Sequence, residues 1–304
     1  MRTITLGKTG LQVPAIAVGC MRLTGLDRKS AEHFINAALD LGANFFDHAD
    51  IYGGGRCESF FAEASASIQR DKIILQSKCG IRPGVAFDFS KEYLLAATDG
   101  ILKRLNTEYL DVLLLHRPDA LVEPEEVAAA FDTLYQSGKV RHFGVSNQNP
   151  YQIQLLQKFV KQPLSVNQLQ LSIANATMIS AGLHVNMNND AAVDRDGSVL
   201  DFCRLNDITI QAWSPFQYGT FSGAFLGNEK FPELNAQIQK IAGKYGVSDA
   251  TIALAWILRH PAHIQPLSGT MNEKRFADSV KATEITLERD EWYAIYQSAG
   301  NVLP

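Results

Sequence analysis

Two hydrophobic rhythms alternate along this chain. Short runs dominated by β-branched and apolar residues open at Ile16, Asn44, Ile73, Asp111, Val140, Ser165, Ile208 and Ile264, with the length and composition of strands. Between them lie stretches that predict helices, beginning near Ser30, Cys57, Ser90, Pro124, Pro150, Ser198, Pro232 and Ser248, with another after Asn272. Ile73–Leu75 and Val112–Leu115 are apolar at consecutive positions, as expected of strands covered on both faces. The punctuation agrees: Pro124 and Pro150 suit a first helical turn, Asn149 can cap the latter helix, and Gly42 and Gly138 suit left-handed helix ends. A hairpin-like start (Thr3–Leu6, then Leu11–Pro14) precedes the first unit, and a helix-like run, Thr286–Ala299, follows the last.

Strict strand–helix alternation predicts an α/β fold. The expected form is a closed (β/α)8 TIM barrel with an N-terminal β-hairpin and an extra C-terminal helix, in one domain over residues 1–304. A doubly wound sheet is the runner-up, but the turn after Ile16–Val18 reads Gly19-Cys20-Met21-Arg22-Leu23, which lacks the glycine fingerprint of that fold. Three long connections, Gly80–Phe89, Ser172–Gly197 and Pro215–Phe231, all follow strands and so belong to the face of a barrel that carries chemistry. Within them Asn186–Asp196 reads as mobile, being rich in Asn and Asp.

Composition narrows the class. The chain is 46% hydrophobic and 20% charged, and 28 Lys+Arg against 32 Asp+Glu give a net charge of −4, so no basic excess points to nucleic acid or an anionic membrane. Four scattered cysteines (Cys20, Cys57, Cys79, Cys203) contain no CxxC pair, and the polar, alternating start does not read as a signal peptide. A reduced, cytoplasmic protein is expected, without metal, nucleic-acid or membrane partners; the oligomeric state stays open.

Several local motifs are decoys. Gly7-Lys8-Thr9 lacks the first glycine of a phosphate loop, since Arg2 stands there. Gly53-Gly54-Gly55 lacks the spaced third glycine and reads as a flexible turn, and His260-Pro261-Ala262-His263 reads as a helix exit.

The polar residues at the carboxyl ends of the expected strands carry more. Asp47, His48 and Asp50 end the second, followed by Tyr52; Lys78 ends the third, His116 and Arg117 the fourth, Ser146 and Asn147 the fifth. Gln168 lies on the sixth and Trp213-Ser214 on the seventh. Side chains alternate along a strand, so Asp47, Lys78 and His116 can converge inside one end of the barrel. Taken singly, His116 reads as a satisfied core histidine, Lys78 as a snorkelling surface lysine and Tyr52 as packing. Four such residues at successive strand ends favour a site.

In this setting DHADIY (Asp47–Tyr52), LQSKCG around Lys78, DVLLLHRP around His116, GVSN ending at Asn147, Asn167-Gln168 and Trp213-Ser214-Pro215 resemble the aldo-keto reductase superfamily over nearly the whole chain. The phrases DHADIYGGG and SGKVRHFGVSN are similar to a bacterial branch of general NADPH-dependent oxidoreductases. The resemblance implies NADPH-dependent reduction of a small carbonyl. Tyr52 would be the proton donor, Lys78 would make its phenol more acidic, Asp47 would hold Lys78, and His116 would bind the carbonyl oxygen. It further implies a cofactor held by Ser146, Asn147, Gln168, Trp213, Ser214, Phe216, Gly269 and Thr270. Lys274 and Arg275 would receive a 2′-phosphate, so NADPH is expected over NADH. Met21, Arg22, Phe87 and Arg117 would border the substrate, and either arginine could bind an acidic substituent. Asp50 has no assigned role.

Three alternatives remain at this point. One is a Schiff-base aldolase using Lys78; another is a metal-dependent hydrolase using His48, Asp50 and His142; the last is a reductase fold retained as a redox-sensing binding module.

Overall fold

A computed structural model of the chain describes residues 1–219 and 222–302. It opens with the antiparallel hairpin β1 (Thr3–Thr5) and β2 (Gln12–Pro14). There follow β3 (Ala17–Gly19), α1 (Arg28–Asp40), β4 (Phe45–Asp47), α2 (Arg56–Ala64) and β5 (Ile74–Cys79). A small hairpin, β6 (Ile81–Arg82) and β7 (Ala86–Phe87), leads to α3 (Lys91–Arg104), β8 (Leu110–Leu115), α4 (Pro124–Gln136) and β9 (Val140–Ser146). Next come α5 (Pro150–Phe159), β10 (Leu164–Gln170), α6 (Thr177–Leu183), α7 (Val199–Leu205) and β11 (Thr209–Trp213). The chain ends with α8 (Pro232–Tyr245), α9 (Asp249–Leu258), β12 (Gln265–Ser268), α10 (Glu273–Lys281) and α11 (Arg289–Ser298).

Eight strands close into a parallel barrel in the order β3-β4-β5-β8-β9-β10-β11-β12, so the expected TIM barrel, hairpin and extra helix are all present. β8 is buried at all six positions: the apolar run Val112–Leu115 is covered on both faces, and Asp111 is paired with Arg70 at 2.7 Å. Helix punctuation is as expected: Asn149 and Gln152 form a reciprocal cap on α5, Pro124 opens α4, and Gly42 and Gly138 take positive φ of 82° and 72°.

The hairpin closes the amino-terminal end of the barrel. Gly7, at φ 47°, packs where a Cβ would come within 2.4 Å of the Ser165 carbonyl oxygen, and its N–H donates to Thr209 Oγ1 at 2.7 Å. Gly7-Lys8-Thr9 is thus a plug turn that only glycine fits. At the other end of the sequence α11 is pinned to α9 by stacked indoles, Trp256 and Trp292, 4.7 Å apart, each Nε1 donating to the other's carbonyl. Tyr296 of α11 also meets Ser180 of α6 at 2.8 Å, tying the helix to the connection after β10.

The long connections hold structure that periodicity missed. Gly80–Phe89 contains the β6–β7 hairpin, and Ser172–Gly197 contains α6. Within and after Asn186–Asp196 a local turn forms, in which Asp194 Oδ1 accepts from the backbone N–H of Asp196, Gly197 and Ser198. Pro215–Phe231 includes residues 220 and 221, which lie outside the described residues. No described helix is long and apolar enough to cross a membrane.

Candidate active site

The strand ends bring Asp47, Tyr52, Lys78 and His116 together. Lys78 is fully buried, and its Nζ donates to Asp47 Oδ1 and Oδ2 at 2.8 and 2.9 Å and to the His48 carbonyl. The same ammonium acts on the Tyr52 phenol as a neighbouring charge and lies 5.0 Å from its ring centroid. Its three donors are therefore spent on the Asp47 carboxylate and the His48 carbonyl. Burial pulls Lys78 toward its neutral form, but Asp47 and then Tyr52 outweigh it, so the net shift is upward and the group is a cation.

One expectation needs correction. Lys78 does pull the Tyr52 phenol down, yet burial is the larger effect and Asp47 adds to it, so the pKa ends above its ordinary value. Tyr52 thus stands as a neutral, proton-bearing phenol. The His116 ring packs edge-on to Tyr52 at 6.1 Å between centroids, with Nδ1 buried and unpartnered among the described residues. Burial, then the Lys78 and Arg117 charges, push His116 down to about 2, so it is a neutral imidazole.

Beneath the four residues lies a feature not anticipated from the sequence. Gln76 Nε2 donates to Asp47 Oδ1 and to Gln211 Oε1, both at 2.7 Å. Gln168 Nε2 bridges the same two oxygens at 3.1 Å each, closing a four-membered hydrogen-bond ring. Gln211 continues to Gln265 at 2.9 Å, and Gln265 donates to the Pro14 carbonyl at the barrel base. Gln168, Gln211 and Gln265 are register partners on adjacent strands, and Gln76 is the partner of Asp47. The signal was available: the alternation that puts Lys78 inside also puts Gln76 inside, two residues earlier. The expected role of Gln168 changes accordingly. Its amide nitrogen is spent on Asp47 and Gln211, leaving its carbonyl oxygen as the end that can meet a cofactor.

Tyr52 enters the site from a tight turn, not a flexible one. Gly53, Gly54 and Gly55 all take positive φ (59°, 66° and 88°), and a Cβ on Gly55 would come within 2.8 Å of Arg104 Cδ. Arg104 passes through this slot to Glu58 of α2 at 2.6 Å, while Ser77 of β5 donates to the other Glu58 oxygen at 2.6 Å. Glu58 is wholly buried and clamps α2, β5 and α3 around the turn that carries Tyr52. Asp50 lies beside this clamp, raised to about 7 by burial and then by the Glu58 charge. His48 points away from the barrel interior against Phe61, at 4.7 Å between rings, and burial followed by Lys78 pushes it down to about 3. His142 is half-buried near the start of β9, so His48, Asp50 and His142 do not form one site. No group of three or more His, Cys, Asp or Glu among the described residues is placed to hold a metal ion.

The neighbouring strand ends fit a nicotinamide dinucleotide. Trp213 presents a half-buried indole whose Nε1 donates to Asn147 Oδ1 at 3.3 Å, and Asn147 Nδ2 donates to Ser146 Oγ at 2.7 Å. Asn147 and Ser214 take left-handed backbone conformations (φ 56° and 51°), strain of the kind kept at binding sites. Phe216 packs against the core behind them. A Cβ on Gly269 would meet nothing within 4 Å, so the rim beside Gly19 is bare backbone open to a ligand. Thr270 Oγ1 accepts from the Asn272 N–H and Asn272 caps α10, where exposed Lys274 and Arg275 make no ion pair among the described residues. Met21, Arg22 and Phe87 form an exposed rim, and Arg117 reaches over the mouth.

Comparison with known proteins gives the family and the fold. The sequence profile of the aldo/keto reductase family matches residues 15–299. The chain is 34% identical to an uncharacterized oxidoreductase, YcsN, of Bacillus subtilis, over 94% of both chains. It is 34% identical to a 6-dehydroglucose reductase of Novosphingobium aromaticivorans, over 98% of this chain and 96% of the relative. Among solved structures, a thermostable aldo-keto reductase in complex with the inhibitor epalrestat superposes with a TM-score of 0.79 at 25% identity, covering 98% of this chain and 100% of that one. The fold is shared by a Bombyx mori aldo-keto reductase in complex with NADP, at TM-score 0.75 and 22% identity, over 98% and 92% of the two chains. With the barrel, the buried Lys78–Asp47 pair and a profile match spanning almost every element, this chain belongs to the aldo/keto reductase family and is an NAD(P)H-dependent oxidoreductase.

Proposed function

We propose that the protein, acting as one unit over its whole length, reduces aldehydes or ketones to alcohols with NADPH as the preferred cofactor. The observation that carries this reading is a neutral phenol beside a buried ammonium that is itself locked to a carboxylate. The Tyr52 phenol stands beside the Lys78 ammonium with its proton retained, and that proton would be given to a carbonyl oxygen. As that oxygen gains negative charge, the proton passes from Tyr52 to it, and the phenolate left behind is stabilised by the adjacent ammonium. His116, a neutral imidazole beside Tyr52, would orient the carbonyl oxygen by donating from a ring N–H. Asp47 offsets the cost of burying Lys78 and fixes its direction.

A reduced nicotinamide supplies the hydride when bound. Ser146, Asn147 and the outward oxygen of Gln168 would hold its carboxamide, and Trp213 would stack on its ring. Ser214, Phe216, Gly269 and Thr270 would line the rest. Lys274 and Arg275 at the α10 N-terminus would take a 2′-phosphate, which supports NADPH over NADH.

The aldolase alternative is disfavoured because a Schiff base needs an unprotonated amine, whereas Lys78 is held as a cation. The test is purified protein, NADPH and a panel of small carbonyls followed by NADPH oxidation, with binding read by quenching of nicotinamide fluorescence. Turnover of panel members together with tighter binding of NADPH than NADH is expected. Cofactor binding without turnover of any carbonyl would favour the redox-sensing module, and equal dissociation constants would remove the NADPH preference.

A further inference from the structure

Arg117 is the unspent cation of the site. It follows His116 at the end of β8, and its guanidinium crosses the mouth to lie 5.7 Å from the Trp213 ring centroid. Burial draws its pKa down, while the Tyr52 phenol lies close enough to act against that. Other arginines with buried or half-buried heads have acceptors: Arg70 bonds Asp111 at 2.7 Å and Arg104 bonds Glu58 at 2.6 Å. Among the described residues none accepts a hydrogen bond from Arg117 and no carboxylate pairs with it. A half-buried guanidinium without an anion is costly, and the cost falls when one binds.

The cofactor's phosphates are not suited to be that anion. Lys274 and Arg275 stand after β12, and β12 is four strands from β8 in the closed order of eight, on the opposite side of the barrel. What remains is the substrate, whose reacting oxygen lies against Tyr52 in the reaction proposed above, at the mouth that Arg117 crosses toward Trp213. We propose that Arg117 is a carboxylate-binding group and that the substrates are oxo acids, carbonyl compounds bearing a carboxylate within a few atoms of the reacting carbon. This rests on the carbonyl-reductase reading above. A planar guanidinium suits a planar carboxylate through two parallel hydrogen bonds. The carboxylate takes no part in bond making: the carbonyl carbon gains a hydride, its oxygen gains a proton, and a hydroxy acid leaves.

The test compares kcat/KM for phenylglyoxylate with its methyl ester, and for 4-oxobutanoate with its methyl ester, in wild type, Arg117→Gln and Arg117→Lys. In wild type at least one acid should exceed its ester by about tenfold or more, carried by KM, as a charged hydrogen-bond pair allows. Arg117→Gln should bring that ratio near one by raising KM for the acid, with Arg117→Lys between. NADPH quenching confirms that each variant is folded. A wild-type ratio near one would overturn the proposal. So would an unchanged ratio in Arg117→Gln with acid and ester slowed together, because the guanidinium would then only brace Trp213. Turnover of neutral carbonyls alone leaves the reductase reading standing while this proposal fails; turnover of none contradicts the reductase reading itself.

Discussion

At the scale of single residues the site rests on the buried Lys78–Asp47 pair. Removing the ammonium in Lys78→Met leaves Asp47 as a buried carboxylate without its cation, which is expected to cost about 3–5 kcal/mol of stability. Pairing that change with Asp47→Asn should recover part of the loss, because the stranded charge is gone while neither variant regains activity. Urea unfolding of the two singles and the double checks this, and strictly additive losses would contradict the coupling. The protonation states also fix a pH profile. As the proposed proton donor Tyr52 must carry its proton to act, and its pKa lies above the ordinary 10.0, so reduction should hold through neutral pH and fall only beyond about 10. His116, neutral above about 2, should add no inflection near pH 6–7. A break there that vanishes in His116→Gln would show that the imidazole is charged in the working enzyme.

At the scale of elements, the turn between β4 and α2 decides where Tyr52 stands. Gly55→Ala forces a Cβ to within 2.8 Å of Arg104 at a φ of 88°, whereas Gly54→Ala meets nothing within 4 Å. The first should lower stability by about 1–3 kcal/mol and slow turnover, since Arg104 must leave Glu58 or the turn must move; the second should cost about 1 kcal/mol. Equal effects in thermal melts and kcat would count against the clamp. Beside it, Asp50 has a folded pKa of about 7 against an ordinary 3.8. The folded state therefore holds a proton that the unfolded chain releases, and this stabilisation is full below about pH 4 and lost as pH rises toward 7. Asp50→Asn should accordingly raise Tm more at pH 8 than at pH 5, by about 2–4 °C. These elements were only half legible in the sequence. Asp47, Tyr52, Lys78 and His116 stood out because polar residues at strand ends break an apolar pattern. Glu58, Arg104 and the glutamine ring did not, because Gln76 and Gln211 lie 135 residues apart and an isolated glutamine carries no local signal of its partner.

At the scale of the whole molecule, the barrel assigns its two ends to different work. The hairpin and the Gln265–Pro14 contact close one end, and the loops after the strands form the other. Every barrel strand begins within one residue of where the hydrophobic period placed it, from Ile16 against Ala17 to Ile264 against Gln265. Burial on both faces leaves a pattern in the strand itself, whereas α6 and the β6–β7 hairpin are too short to build one. Ligand linkage gives a global test of the cofactor assignment: NADPH at about 100 times its dissociation constant should add about 2.7 kcal/mol of stability. Lys274→Ala with Arg275→Ala should shrink that gain for NADPH and leave it for NADH. The central claim, that the Tyr52 phenol delivers the proton, is tested most directly by NADPH oxidation in Tyr52→Phe with a carbonyl that the wild type reduces. The expected result is a fall in kcat of about 10²–10⁴ with NADPH affinity nearly unchanged; turnover at the wild-type rate would contradict it.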